Sequence, residues 1–272
     1  MALHTAILLF ILCAALYSGK SGIPQSQEKT KLHVFAAASL SEAFRALGKA
    51  FELKHPGVEI QFNFGGSQQL VQQIVQGADA DILASANMKQ MGIAVKSGVI
   101  DTSLPKVFAR NRLVVVLPKT NPARLATLND LAKPGVKLVL ADSSVPAGQY
   151  ALQILGRCSA MKEFGSSYRK NVLKNVVSYE ENVLAVLSKV RLDECDAGIV
   201  YTSDISRDST HEILRIYIPD DLNIIAEYPI AIVRESKAKS VAGSFIEYVL
   251  SDEGGRALSD FGFMRVNQPE KR

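Results

Sequence analysis

The sequence predicts an α/β fold arranged as two lobes around a ligand cleft. Three observations lead there. Strand and helix patterns alternate almost throughout, as when helices pack on a parallel sheet. The alternation restarts after Pro105, so one chain of 272 residues holds two β-α series. Several strands run straight into a helix start marked by serine, glycine or proline, and ligands in such sheets sit beyond the carboxyl ends of the strands.

Each element has a local reason. Residues 32–36 read as a strand with Val34 and Phe35 buried, followed by small alanines and Ser39. Ser39 with Glu42 three residues on predicts a capping box that opens a helix over 39–54. Leu40, Ala43, Phe44, Leu47, Ala50 and Phe51 form its apolar stripe, and His55-Pro56-Gly57 ends it. Residues 58–64 form the next strand. Gly65-Gly66 then allows close backbone approach, and Ser67 is expected at the N-cap of a helix over 67–76, with Leu70, Val71, Ile74 and Val75 on one face. A strand over 81–85 and a helix over 88–96 complete this series.

The second series begins with the apolar run 113–117, closed by Pro118, and continues with a helix near 128–132 and a strand over 137–140. Val145-Pro146-Ala147-Gly148 precedes a helix over 149–155, and Glu180-Glu181-Asn182-Val183 precedes one over 184–190. A strand over 197–200 ends at Tyr201. Residues 230–233 read as a further strand, and a closing helix lies around 241–250.

Composition narrows the class. With 47% hydrophobic and 21% charged residues the chain reads as a soluble globular protein. The net charge of +4 is spread among acids with no clustered basic face, which excludes a nucleic-acid partner. Residues 6–16 are uninterruptedly apolar, of signal-peptide length and too short for a comfortable membrane span, so residues 1–26 are expected to be an export signal or an N-terminal anchor. Of the three cysteines, Cys13 lies in that leader. Cys158 and Cys195 either pair in an oxidising compartment or stay as partly buried thiols. No G-x-S-x-G, H-E-x-x-H or P-loop motif is present, which argues against catalysis.

The helix starts carry the chemistry. Each exposes unpaired backbone N–H groups at the positive end of a helix dipole, a ready seat for an anion. Four of them, two per series, could aim at one point.

Motif order then adds a family. AAASL at 36–40, GGSQQL at 65–70, DADILASA at 79–86, VPAG at 145–148 and GIVYTSD at 198–204 together resemble the periplasmic molybdate-binding proteins of ABC-type molybdate importers. The resemblance covers about residues 31–265 and includes LVVVLPK at 113–119 and Glu227-Tyr228-Pro229. It implies a type II periplasmic-binding-protein fold, with residues 31–110 plus 227–272 as lobe I and 111–226 as lobe II. It implies no cofactor and no enzymatic activity, but molybdate or tungstate as ligand, a membrane permease as partner, a monomer, and a periplasmic or otherwise extracytoplasmic location. Carried over motif by motif, it implies that the oxyanion is held by the Ser39 and Ser67 hydroxyls, the Ala147 and Val183 amides, and the Tyr201 hydroxyl. The GGSQQL turn departs from serine-richer versions, so one supplementary hydroxyl donor is expected to be missing. None of these groups is ionised at neutral pH, which suits a fully deprotonated dianion; a protonated oxyanion such as hydrogen phosphate would want a carboxylate acceptor, and Asp142 and Glu180 are the nearest in sequence. Sulfate and phosphate remain the alternative ligands.

Overall fold

The computed structural model describes residues 29–103, 105–205 and 212–266. The expected export segment, Cys13 and His211 lie outside them. In chain order the elements are β1 (Thr30–Ala37), α1 (Ser41–Lys54), β2 (Val58–Gly65), α2 (Ser67–Val75), β3 (Ile82–Ala84), α3 (Met88–Lys96), β4 (Lys106–Asn111), β5 (Leu113–Pro118) and β6 (Leu138–Ala141). There follow α4 (Pro146–Ala160), α5 (Tyr168–Lys174), β7 (Val176–Glu180), α6 (Val183–Arg191), β8 (Ala197–Tyr201), β9 (Ile213–Tyr217), β10 (Ala226–Ile232), α7 (Lys239–Leu250) and α8 (Asp252–Asp260).

The strands form two sheets, in the order β2-β1-β3-β10-β4 and β7-β6-β8-β5-β9. The expectation of purely parallel sheets is corrected by one reversed strand in each. β10 runs antiparallel to β3 and β4, and β5 runs antiparallel to β8 and β9. Both reversed strands are reached by the chain crossing from one sheet to the other, β5 through the single residue Arg112 and β10 on the way back. A strand that arrives from the cleft side enters its sheet from the end where the other strands finish. It must therefore run against them.

Apolar burial follows the sheets. β5 is buried along its whole length, as its unbroken hydrophobic run requires. In the first lobe α1 covers one face through Phe44, Leu47 and Phe51, joined by Leu40 just before it, while Leu70, Val71 and Ile74 of α2 cover the other with Phe35 and Met91.

Several helix starts differ from the sequence reading. Ser39 does not cap α1. Residues Ala38–Leu40 form a 3-10 turn, the N-cap of α1 is Leu40, and no side chain caps it. The Ser39 hydroxyl is instead 3.0 Å from Tyr228 Oη. Ser67 is the first residue of α2, with Gly66 at the N-cap, and its Oγ accepts from the Ala86 N–H at 3.0 Å. α4 starts at Pro146, since proline at the first turn loses no helical bond, and α6 starts at Val183, where Asn182 Oδ1 accepts from the Ala185 N–H. The closing segment is two helices, broken at Ser251, whose hydroxyl caps α8 through the Gly254 N–H. Cys158 and Cys195 are buried free thiols, and burial pushes each up to about 11.

Candidate ligand site

One small cavity lies between the two lobes. All of Ser39, Ser67, Ala147, Val183 and Tyr201 line it. The first lobe brings Ser39 on the turn after β1 and Ser67 on the first turn of α2. The second brings Ala147 on the first turn of α4, Val183 at the start of α6 and Tyr201 at the end of β8. Residues scattered over the chain meet here because every one of them follows the carboxyl end of a strand, and those ends face one another across the cleft. Three α-helices and one 3-10 turn thus present their N-terminal ends to a single volume.

The lining is neutral. Tyr201 is the only ionisable residue in it, and burial holds its phenol well above the ordinary value, so the hydroxyl stays protonated. Tyr201 is 1% exposed, and its Oη, although it lies beside the Tyr228 phenol, meets no partner in hydrogen-bond geometry among the described residues. A buried hydroxyl without a partner is unfavourable by about 1–3 kcal/mol. Among the described residues it is the one buried side-chain polar atom of the cavity lining without a partner, and it marks a donor held for a ligand. Behind it, the Tyr201 backbone N–H donates to Asp204 Oδ2 at 2.8 Å. Burial lifts the Asp204 carboxyl to about 7 against the lowering effect of that bond.

Both serines have a partner inside the protein. Ser67 Oγ accepts from a backbone amide, and Ser39 Oγ pairs with Tyr228 Oη. Asp142 and Glu180, the carboxylates nearest in sequence, do not line the cavity. Asp142 accepts from the Ser144 N–H at 2.8 Å, which holds it below its ordinary value, and Glu180 is paired with Lys189 at 2.7 Å. The cavity is therefore a place for a small ligand that accepts hydrogen bonds and offers none.

A larger groove adjoins it, also lined from both lobes. Here Gln68 Nε2 donates to the Glu181 carbonyl at 3.2 Å, Gln69 Nε2 to Glu181 Oε2 at 3.0 Å, and Gln90 Nε2 to the Ser144 carbonyl at 3.3 Å. These cross-cleft bonds were not legible in the sequence, and neither was Tyr228 behind Ser39. The available signal was the pair of glutamines directly after Ser67, on the turn of α2 that faces the cleft.

Two lobes joined by crossing strands, with helix N-termini and neutral hydroxyls converging on a small cavity between them, define a cleft-type solute-binding protein. The chain belongs to the family of bacterial extracellular solute-binding proteins, which it matches over residues 32–264 and which acts outside the cytoplasm. It is 33% identical to the molybdate-binding protein ModA of Mycobacterium bovis, over 97% of this chain and 98% of that protein. Among solved structures, the periplasmic molybdate-binding protein of Azotobacter vinelandii aligns with a TM-score of 0.74 at 18% identity, covering 88% of this chain and 100% of that one. The sulfate-binding protein SubI of Mycobacterium tuberculosis H37Rv aligns at 0.78 with 16% identity, covering 88% of each. These two likenesses carry the fold alone. The same fold serves different tetrahedral anions, so the choice of anion rests on the residues of the site.

Proposed function

We propose that this protein captures molybdate, and tungstate equally, outside the cytoplasm and hands it to the membrane permease of an ABC-type importer. In this reading it acts as a monomer with residues 31–110 plus 227–272 as lobe I and 111–226 as lobe II, exported by its N-terminal segment. The oxyanion is held by Ser39 Oγ, Ser67 Oγ, Tyr201 Oη and the backbone amides of Ala147 and Val183.

The observation that carries the reading is the buried, unpartnered Tyr201 hydroxyl facing a neutral cavity that both lobes build. A dianion needs several donors and no acceptor, and each hydrogen bond to it contributes roughly 1.5–3 kcal/mol net. Helix N-termini supply such donors without a counter-ion. The likeness to molybdate-binding relatives at 33% identity over nearly the full length supports molybdate over sulfate. Binding is coupled to closure: the anion docks on one lobe and the donors of the other close over it. The ligand favours the closed form only by its differential affinity for that form.

Isothermal titration with molybdate, tungstate, sulfate and phosphate at neutral pH tests the reading. Tight binding of the first two, undisturbed by excess sulfate, is the expected result. Preferential binding of sulfate or phosphate would overturn the choice of anion, and no binding of any of the four would overturn the function.

A further inference from the structure

A buried chain of polar side chains runs behind Ser39 and sets the direction of its proton. It starts at Asn111, the last residue of β4 and fully buried, where the chain crosses between the lobes. The Arg112 backbone N–H donates to Asn111 Oδ1 at 2.9 Å, and so does Thr202 Oγ1 at 2.9 Å. A backbone N–H can only donate, so the amide is fixed with its oxygen on that side. The Asn111 amino group then faces Ser203 Oγ at 2.7 Å and Tyr228 Oη at 3.4 Å, and it donates to both. Tyr228 Oη thus accepts from Asn111. The Tyr201 hydroxyl also lies beside the Tyr228 phenol and acts on it, but it does not meet hydrogen-bond geometry, so the partner left to take the proton is Ser39 Oγ at 3.0 Å. Tyr228 is 0% exposed, so no water takes its proton. The proton goes to Ser39 Oγ, and the Ser39 hydroxyl hydrogen is left to point into the cavity.

Ser67 reaches the same state by a shorter route, since the Ala86 N–H donates to its Oγ and leaves its hydrogen free. Each serine thereby has one acceptor site filled from within the protein and its hydrogen left for the cavity.

We infer that Tyr228, oriented by Asn111, is a positioning residue that turns the Ser39 hydroxyl hydrogen toward the anion. The inference deepens the proposed function and rests on the cavity being an oxyanion site. Tyr228 is buried behind Ser39 and does not line the cavity; it acts through that hydroxyl.

The test is a double-mutant cycle in the full-length protein, with molybdate as the probe. Tyr228→Phe should lower affinity roughly tenfold, about the worth of one hydrogen bond to a charged group. In a Ser39→Ala background the same change should have less than about a twofold effect, because the residue through which Tyr228 acts is gone. Equal losses in both backgrounds, or unchanged affinity in Tyr228→Phe, would overturn the inference. Thermal melts check that each variant folds. Should Tyr228→Phe not fold, the hydroxyl proton of Tyr228 in the wild-type protein decides by NMR. A nuclear Overhauser contact to the Ser39 β-protons supports the relay, and a proton directed away from Ser39 refutes it. If the wild-type protein prefers sulfate, the cycle is run with sulfate; the choice of molybdate then fails while the relay is still judged.

Discussion

At the scale of single residues, Tyr201 and Asp204 sit back to back at the end of β8 with opposite demands. Tyr201 offers a hydroxyl that meets no hydrogen-bond partner among the described residues. Replacing it by phenylalanine removes a donor from the ligand and an unsatisfied polar atom from the empty site. Tyr201→Phe should therefore weaken molybdate binding roughly tenfold to a hundredfold while leaving the melting temperature of the ligand-free protein unchanged or slightly raised. Calorimetric titration beside a thermal melt separates the two. Unchanged affinity would remove Tyr201 from the site. Asp204 presents a pH effect. Its carboxyl is 6% exposed, Oδ1 has no partner, and burial raises it from 3.8 to about 7. Between those values the folded chain holds a proton that the unfolded chain has released, so stability falls as pH rises through this window and the full penalty is present above about 7. Asp204→Asn keeps an acceptor for the Tyr201 N–H and cannot ionise. Its melting temperature relative to wild type should climb from pH 4 to pH 8 and then level off. A difference that stays flat with pH would show that Asp204 does not titrate there.

At the scale of elements, the start of α2 decides how closely the lobes approach. Gly66 has φ −62° and ψ 134°, a conformation any residue can adopt, so its role is not backbone freedom. A Cβ there would lie 2.7 Å from the Glu181 carbonyl oxygen of the other lobe. The flexible Gln68 side chain, also in the way, can move; the Glu181 backbone moves only if the cleft opens. Gly66→Ala should thus lower molybdate affinity by at least about tenfold, because the closed form is disfavoured. Stability of the ligand-free protein should hold or rise, since alanine restricts the unfolded chain by about 0.4–1 kcal/mol. Titration and melting of this variant check both halves. This element also explains what the sequence could convey. Helix starts are punctuated locally by Ser, Gly and Pro, which marks the turns before α2 and α4, while the set Ser39, Ser67, Ala147, Val183 and Tyr201 comes from the family resemblance; the five are found together in one cavity. A capping box is judged from neighbours, whereas the partner of Ser39 is Tyr228, 189 positions away, so the local pattern points to a cap that does not form. Gly254-Gly255 lowers helix propensity in α8, which is held by its Ser251 cap and so leaves a weak local signal. The reversal of β5 and β10 was illegible for a different reason: an apolar run reports burial, and carries no sign of direction.

At the scale of the whole molecule, the proposed function depends on the balance between open and closed arrangements of the lobes. The chain crosses between the sheets at Asn111–Leu113 and again before β10, where Asn223 accepts from the Leu113 N–H and donates to its carbonyl. These crossings set the hinge region, and the cavity lies between the lobes it joins. Three glutamines of the first lobe then hold the second lobe directly, through the Glu181 carbonyl and carboxylate and the Ser144 carbonyl. None of the three lines the small cavity, so they bear on closure and not on recognition. Each such bond contributes about 0.5–1.5 kcal/mol in the closed form and nothing in the open one. The triple change of Gln68, Gln69 and Gln90 to alanine should therefore speed molybdate release by roughly tenfold or more. Association begins on the open form and should change little, so the loss of affinity falls on the dissociation rate. Stopped-flow displacement by tungstate measures that rate. X-ray scattering of the ligand-free and ligand-saturated variant measures the shape: the ligand-free form should be more expanded than wild type, and saturating molybdate should return it to the same compact form. A variant with wild-type release and scattering would show that closure is driven by the anion alone, with the glutamine contacts following it.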